Sequence, residues 1–339
     1  MIMQNLNEFK ETINNELGVS NSNNQFIIKT ANEWIEDAKA RPKPKMLFGE
    51  LWFENEVCIL FADTNLGKSI LAVQSGVSIA AGSSTCGLKN EVEAQKILYF
   101  DFELSDKQFE NRYSNDYAEH YQFPSNFIRA EINDEFMCNN IADFEKEFIK
   151  SLEASIIEND FKVIIIDNLT YLKNETEKAK DALSLMKELK SLKNKHNLSM
   201  LILAHTPKRD SSKPLTKNDL SGSKMLINFC DSAFAIGESS SEIGLKYIKQ
   251  IKQRNTEQRY GADNVILCEI EKINSFLQFS FMDFGNEYEH LKTVEIANKD
   301  DRNDLILALH NQGKSNVAIA EELDISEGTI RYVLNKLKS

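Results

Sequence analysis

The stretch that most restricts how this chain can fold is VCILFADTNLGKSILAVQSGVSIAAG, residues 57–82. An apolar run of strand length, 57–62, passes into a short polar loop. Apolar residues at helical spacing follow and stop at Gly82. A buried strand that turns directly into a helix has few architectures open to it. The helix must cover a face of the strand's own sheet, and a neighbouring parallel strand is then reached by a crossover. At the start of that helix, successive backbone N–H groups and the helix dipole converge on one point, which suits an anion.

The loop reads Ala62-Asp63-Thr64-Asn65-Leu66-Gly67-Lys68-Ser69, followed by Ile70. Seven of its eight positions fit the phosphate-loop pattern G-x-x-x-x-G-K-[ST], and Ala62 stands where the first glycine is expected. An alanine suffices there if its φ is negative. Gly67 lets the backbone approach a phosphate closely. Lys68 reaches the β- and γ-phosphates, and the Ser69 hydroxyl is an oxygen ligand for Mg²⁺. Residues 62–70 are therefore the expected nucleotide site, with ATP and Mg²⁺ as cofactors.

The pattern continues beyond the loop. Strands are expected at 57–62, 96–102, 162–166, 199–204, 232–236, 245–253 and 265–270, with an edge strand in INSFLQFSFMDFG. Amphipathic helices separate the earlier ones. The expected class is α/β: a mostly parallel sheet with helices on both faces, spanning 40–283. Residues 1–39 read as a partly flexible arm, 284–300 as a polar linker and 301–339 as a small helical domain.

Several strands end in a polar residue, at the edge where open α/β sheets bind ligands. FKVIIIDN ends in Asp167, a second candidate for Mg²⁺. KILYFDFE ends in Asp101 and Glu103; either could orient a water, and Glu103 lies past the last apolar residue. LSMLILAH ends in His205, placed to sense a γ-phosphate. The segment 206–224 is rich in Ser, Pro and Lys and has no apolar period. Its Lys208, Arg209, Lys213 and Lys217 form a basic island, expected to be a mobile loop on a nucleic-acid backbone. Lys252 and Arg254 alternate onto one face of a strand end and suit the nucleotide of a neighbouring subunit.

Taken in this order, the motifs resemble the RecA-like core of the DnaB/RecA/KaiC group, and within it the AAA_25, RepA-like helicase ATPases. The resemblance implies a Walker A motif in FADTNLGKS and a Walker B motif in VIIIDN. It implies the catalytic glutamate at Glu103, the strand-end histidine at His205 and a trans-acting basic finger at Lys252 and Arg254. It also implies a ring, usually a hexamer.

The last residues, DLILALHNQGKSNVAIAEELDISEGTIRYVLNKLKS, divide into three short helices. Ser315 and Ser326 are placed as caps, and Val317, Ile319, Ala320, Leu323, Ile330, Val333, Leu334 and Leu337 are expected inward. The pattern looks like a helix-turn-helix of the LuxR/resolvase type. Its last helix would bring Thr329, Arg331, Tyr332, Lys336 and Lys338 toward duplex DNA. The whole chain of 339 residues carries a net charge of −12, so any contact with nucleic acid must be local. Five scattered cysteines argue for a reducing compartment, and no apolar run approaches the ~20 residues of a membrane helix. A cytoplasmic location is expected. The functional expectation is a Mg²⁺-dependent ATPase acting on DNA, a ring-forming protein of the replicative-helicase or mobile-element replication kind. The alternative is an ATP-gated, sequence-specific DNA-binding regulator.

Overall fold

The computed structural model describes residues 26–133, 144–168, 179–207, 209–220, 223–323 and 325–336. The chain divides after Pro44 into two units, each described by itself. In the first, Thr30 and Glu33 form a reciprocal capping box at the start of α1 (Ala31–Lys39), and none of the helix's side chains is buried. Of the arm expected over 1–39, residues 1–25 lie outside the described residues.

The second unit opens with the hairpin β1 (Met46–Phe48) and β2 (Trp52–Phe53). β3 (Val57–Ala62) leads through the loop into α2 (Lys68–Ala81), which Gly82 ends at φ 65°. Next come β4 (Ile97–Asp101), α3 (Asp106–Arg112), the short strands β5 (Ser114–Asn115) and β6 (Glu119–His120), and β7 (Phe127–Ala130). α4 (Phe144–Asn159), β8 (Val163–Asp167), α5 (Ala179–His196) and β9 (Ser199–His205) continue the alternation. α6 (Ser223–Phe229) precedes β10 (Ser232–Glu238), after which β11 (Leu245–Lys252), β12 (Val265–Ile273) and β13 (Phe276–Gly285) form a meander. The chain closes with α7 (Val294–Asn311), α8 (Asn316–Glu322) and α9 (Glu327–Lys336).

One sheet holds nine strands in the order β13-β12-β11-β10-β3-β9-β8-β4-β7. Pairs from β10 across to β7 are parallel, and those from β10 out to β13 are antiparallel. Every residue of β3 is buried because both faces of the sheet are covered. On one face Leu71 and Ile79 of α2 pack with Leu60, Tyr99 and Ile165. On the other, Leu152 of α4 and Leu185 and Leu189 of α5 pack with Ile59, Phe61 and Ile202. Register sets Ala62 beside His205 and Asp101 beside Asp167, so these strand ends share one edge.

The α/β expectation holds, with a small all-α unit at the end, and three details differ. The basic segment is not free of apolar anchors: Leu215 and Leu220 are buried in the second core. The Lys249 ammonium donates to the Leu215 carbonyl at 2.7 Å and pairs with buried Glu287, whose Oε1 accepts the Leu215 N–H at 2.7 Å. The segment read as linker is likewise packed, since Glu287 is 0% exposed, His290 is buried, and α7 already begins at Val294. In the C-terminal unit, Ile319, Ala320, Ile330, Val333 and Leu334 form a core with Ile306 and Leu309. Val317, expected inward, is 52% exposed, because a seven-residue helix turns only one narrow stripe toward its neighbours.

Candidate nucleotide site

The loop after β3 places its strained residues where the sequence can bear them. Asn65 has φ 64° and Gly67 φ 89°, whereas Ala62 is an ordinary last strand residue and needs no glycine. A Cβ on Gly67 would come within 2.7 Å of Ile270 Cδ1 and 2.9 Å of the Phe279 ring, so β12 and β13 back the loop closely. No side chain caps the N-terminus of α2, which leaves its first N–H groups for an anion. Lys68 is 7% exposed; its ammonium donates to the carbonyls of Ala62 at 3.1 Å and Asp63 at 3.0 Å. Burial pulls its pKa below the ordinary value, against the carboxylates of Asp167, Glu103 and Asp63.

The ends of β4, β8 and β9 bring their polar residues together. The Asn168 amide donates to Glu103 Oε1, and its Nδ2 lies 3.0 Å from His205 Nε2. His205 Nε2 is 3.4 Å from Glu103 Oε1. The bond with His205 holds the Glu103 carboxyl below the usual range, aided by the charges of His205, Lys68 and Arg112 and opposed by burial. Asp101, the other carboxylate, is occupied elsewhere. It accepts the N–H groups of Glu103 at 3.2 Å and Leu104 at 3.0 Å, and the Arg129 guanidinium at 3.0 Å. Asn168 is a member of this cluster that the motifs did not single out. The only signal available was its position one residue past a buried strand-end aspartate.

Asp167 is 1% exposed and accepts from the Tyr99 hydroxyl at 2.7 Å through Oδ2. Its Oδ1 has no hydrogen-bond partner among the described residues. Burial raises its pKa to about 6, with the hydroxyls of Ser69 and Tyr99 pulling it down and Glu103 and Asp101 adding to the rise. A buried unpaired carboxylate oxygen near a serine hydroxyl fits a hard cation with oxygen ligands. No group of three or more His, Cys, Asp or Glu that could hold a metal occurs among the described residues. Beside the loop, Asp63, Thr64, Leu66, Thr206, Arg209 and Glu238 line part of a cavity of about 160 Å³. Thr206 Oγ1 and Arg209 Nη1 are buried there without partners among the described residues.

The remaining predicted residues are elsewhere. Lys252 donates to the Ile227 and Cys230 carbonyls. Arg254 bonds Asp231 at 3.1 Å, and Asp231 accepts the Val57 N–H at the start of β3. Both cations are thus at the opposite edge of the sheet from the phosphate loop. Arg209 folds back onto the Lys213 carbonyl at 3.1 Å, Lys213 pairs with Asp210 at 3.1 Å, and Lys217 is exposed. Lys208 lies outside the described residues, as do Lys338 and the side chain of Lys336. On α9 Thr329 is half-buried, Arg331 pairs with Glu327 at 2.7 Å and Tyr332 is 65% exposed.

A mostly parallel sheet whose central strand runs through a lysine-bearing loop into an uncapped helix, with carboxylates at adjacent strand ends, defines a P-loop nucleotide-binding fold. Comparison with known families agrees. The chain belongs to the AAA_25 family, an AAA domain, whose model matches residues 25–211. Residues 301–339 match the bacterial regulatory proteins of the luxR family. The protein therefore joins an AAA domain of the AAA_25 family to a C-terminal unit similar to the luxR-family bacterial regulatory proteins. A KaiC-like protein of the hyperthermophilic archaeon Pyrococcus horikoshii OT3 is similar in structure, at 11% identity and a TM-score of 0.47. The match covers 67% of this chain and 90% of that one. No curated protein matches the chain.

Proposed function

We propose that this protein is a Mg²⁺-dependent ATPase that assembles into a ring and acts on DNA. What supports this reading is the meeting of Lys68, Glu103, Asp167 and His205 at one strand edge, beside a helix N-terminus with no side-chain cap. On this reading the amides of 62–70 and Lys68 hold the phosphates, and Ser69 and Asp167 hold Mg²⁺. When bound, Mg²⁺ neutralises charge on the β- and γ-oxygens. Glu103, kept ionised by its neighbours and steadied by Asn168, accepts the proton of the attacking water. His205 senses the γ-phosphate. Lys252 and Arg254 serve the nucleotide of a neighbouring subunit, for which they would leave their present partners.

The test is turnover of two variants. Lys68→Ala is expected to lose nucleotide binding, and Glu103→Gln to bind ATP while turnover falls by about 10²–10⁴. Hydrolysis at the normal rate in Glu103→Gln would remove that residue from the mechanism. Mass measured with and without ATP tests the ring.

A second reading has an observation of its own. The basic segment expected to be a mobile loop on a nucleic-acid backbone is anchored by Leu215, Leu220 and the Lys249–Glu287 pair. That favours an ATP-gated regulator, in which nucleotide sets the assembly state and the LuxR-type unit reads one DNA sequence. DNA-stimulated turnover without sequence preference supports the motor; a footprint on one sequence with no stimulation supports the regulator.

A further inference from the structure

Asp101 and Asp167 end adjacent strands, yet they differ in what they have left to offer. Asp101 Oδ1 accepts the N–H groups of Glu103 and Leu104, and its Oδ2 accepts the Arg129 guanidinium, so both oxygens are in use. On Asp167 the Tyr99 hydroxyl occupies Oδ2 at 2.7 Å, and Oδ1 has no hydrogen-bond partner among the described residues. Tyr99 thus decides which oxygen of Asp167 is left open. No motif marked it, because within the run ILYF it reads as one more core residue.

The sheet explains how a core residue reaches the site. Register sets Tyr99 of β4 beside Ile165 of β8, and Asp101 beside Asp167. Side chains two apart on a strand share a face, so Tyr99, Ile165 and Asp167 all rise on one side of the sheet. That side is the one α2 covers, since Tyr99 and Ile165 belong to its core. Asp167 stands two residues, about 6.6 Å, beyond the register position of Tyr99, a gap that the length of the phenol spans. Tyr99 is fully buried, and the ring of Phe127 lies 5.9 Å from its own. A hydrogen bond to an ionised carboxylate is about twice as strong as one between neutral groups. In this enclosed position it fixes the carboxylate plane, and with it the direction of Oδ1.

We propose that Tyr99 is a positioning residue for the cation: its hydroxyl holds Asp167 by Oδ2, so that Oδ1 alone serves Mg²⁺ or a water on it. This rests on the ATPase reading above, in which Ser69 and Asp167 hold the metal. Tyr99 acts through Asp167 alone. Carboxylates that serve a metal are steadied by such outer hydrogen bonds, and losing one costs about 10–100-fold in metal affinity.

The experiment uses the full-length protein and a fluorescent ADP, whose affinity is measured in chelator and across a Mg²⁺ titration. Two variants remove the donor. One is Tyr99→Phe; in the other Tyr99 is replaced by 4-fluorophenylalanine, which refills the space of the hydroxyl without donating a proton. Both are expected to raise the half-saturating Mg²⁺ by about 10–100-fold and to bind ADP in chelator as the wild type does. A half-saturating Mg²⁺ unchanged in both overturns the proposal. So does a wild-type Mg²⁺ response with the fluorinated ring alone, since that marks packing rather than the bond. An equal loss of ADP affinity with and without Mg²⁺ also overturns it, because a general structural role would act in both. Should Tyr99→Phe not fold by circular dichroism, the fluorinated variant decides on the same readings. If the wild type binds no ADP, or binds it without regard to Mg²⁺, the ATPase reading itself has failed, a result distinct from any of these.

Discussion

Asp167 shows in one side chain how function and stability oppose each other. Its carboxyl is buried, one oxygen has no hydrogen-bond partner among the described residues, and burial pushes its pKa up to about 6 from an ordinary 3.8. A carboxyl raised in the folded state binds its proton more tightly there than in the unfolded chain. The stability this adds is present below about pH 4 and is lost as pH rises through about 6. A shift of this size corresponds to roughly 3 kcal/mol. We therefore expect Asp167→Asn, melted in chelator at pH 7.5, to unfold roughly 5 °C above the wild type. The gap should close toward pH 4, while turnover is lost. A variant that melts at or below the wild type at pH 7.5 would show that the carboxylate is already compensated. The role of Asp167 as a strand-end acid was legible because a polar residue ending a run of four apolar ones is conspicuous. Asn168 was not, because an asparagine after a strand is ordinary turn chemistry. Only the register of β4, β8 and β9 brings it between Glu103 and His205.

At the scale of elements, the central parallel strands were readable because each is a short apolar run that gives way to polar residues, and helices cover both faces of the sheet. β7 was missed: its four residues are all half-buried at a sheet edge, so neither a continuous apolar run nor an alternation marks it. The segment after β9 was misjudged for a different reason. Its composition is that of a free loop, and its anchors come from 34 and 72 residues further along the chain, at Lys249 and Glu287. Local sequence cannot show such a tie. Glu287 is fully buried and serves both the Lys249 ammonium and the Leu215 N–H, so removing it strands a charge and a donor together. Glu287→Ala should cost roughly 3–5 kcal/mol and expose Arg209, Lys213 and Lys217 to trypsin. Glu287→Gln keeps an acceptor for the Leu215 N–H and should cost less. Equal trypsin resistance in all three proteins would mean that the apolar contacts of Leu215 and Leu220 alone hold the segment.

For the whole molecule, charge limits how it can hold DNA. The chain is at −12, and residues 299–339 carry six basic and seven acidic side chains, so the LuxR-type unit brings no net attraction of its own. Each phosphate neutralised on a duplex contributes about −0.9 to the slope of log K against log salt. A single copy with so few cations must therefore bind weakly and with a shallow slope. A ring places several such units on one duplex, and linked sites raise apparent affinity without any new contact. If nucleotide drives assembly, Mg·ATP should steepen the salt slope and tighten binding in the wild type. Lys68→Ala, unable to hold nucleotide, should keep the shallow slope of the single copy. If Arg331 exchanges Glu327 for a phosphate on binding, Arg331→Ala should flatten the assembled slope. Tyr332→Ala should weaken binding with little change of slope, because an aromatic ring releases no counterions. A slope that is equally steep with and without nucleotide would separate DNA binding from the ATPase. The two halves of the chain would then share a polypeptide without sharing a mechanism.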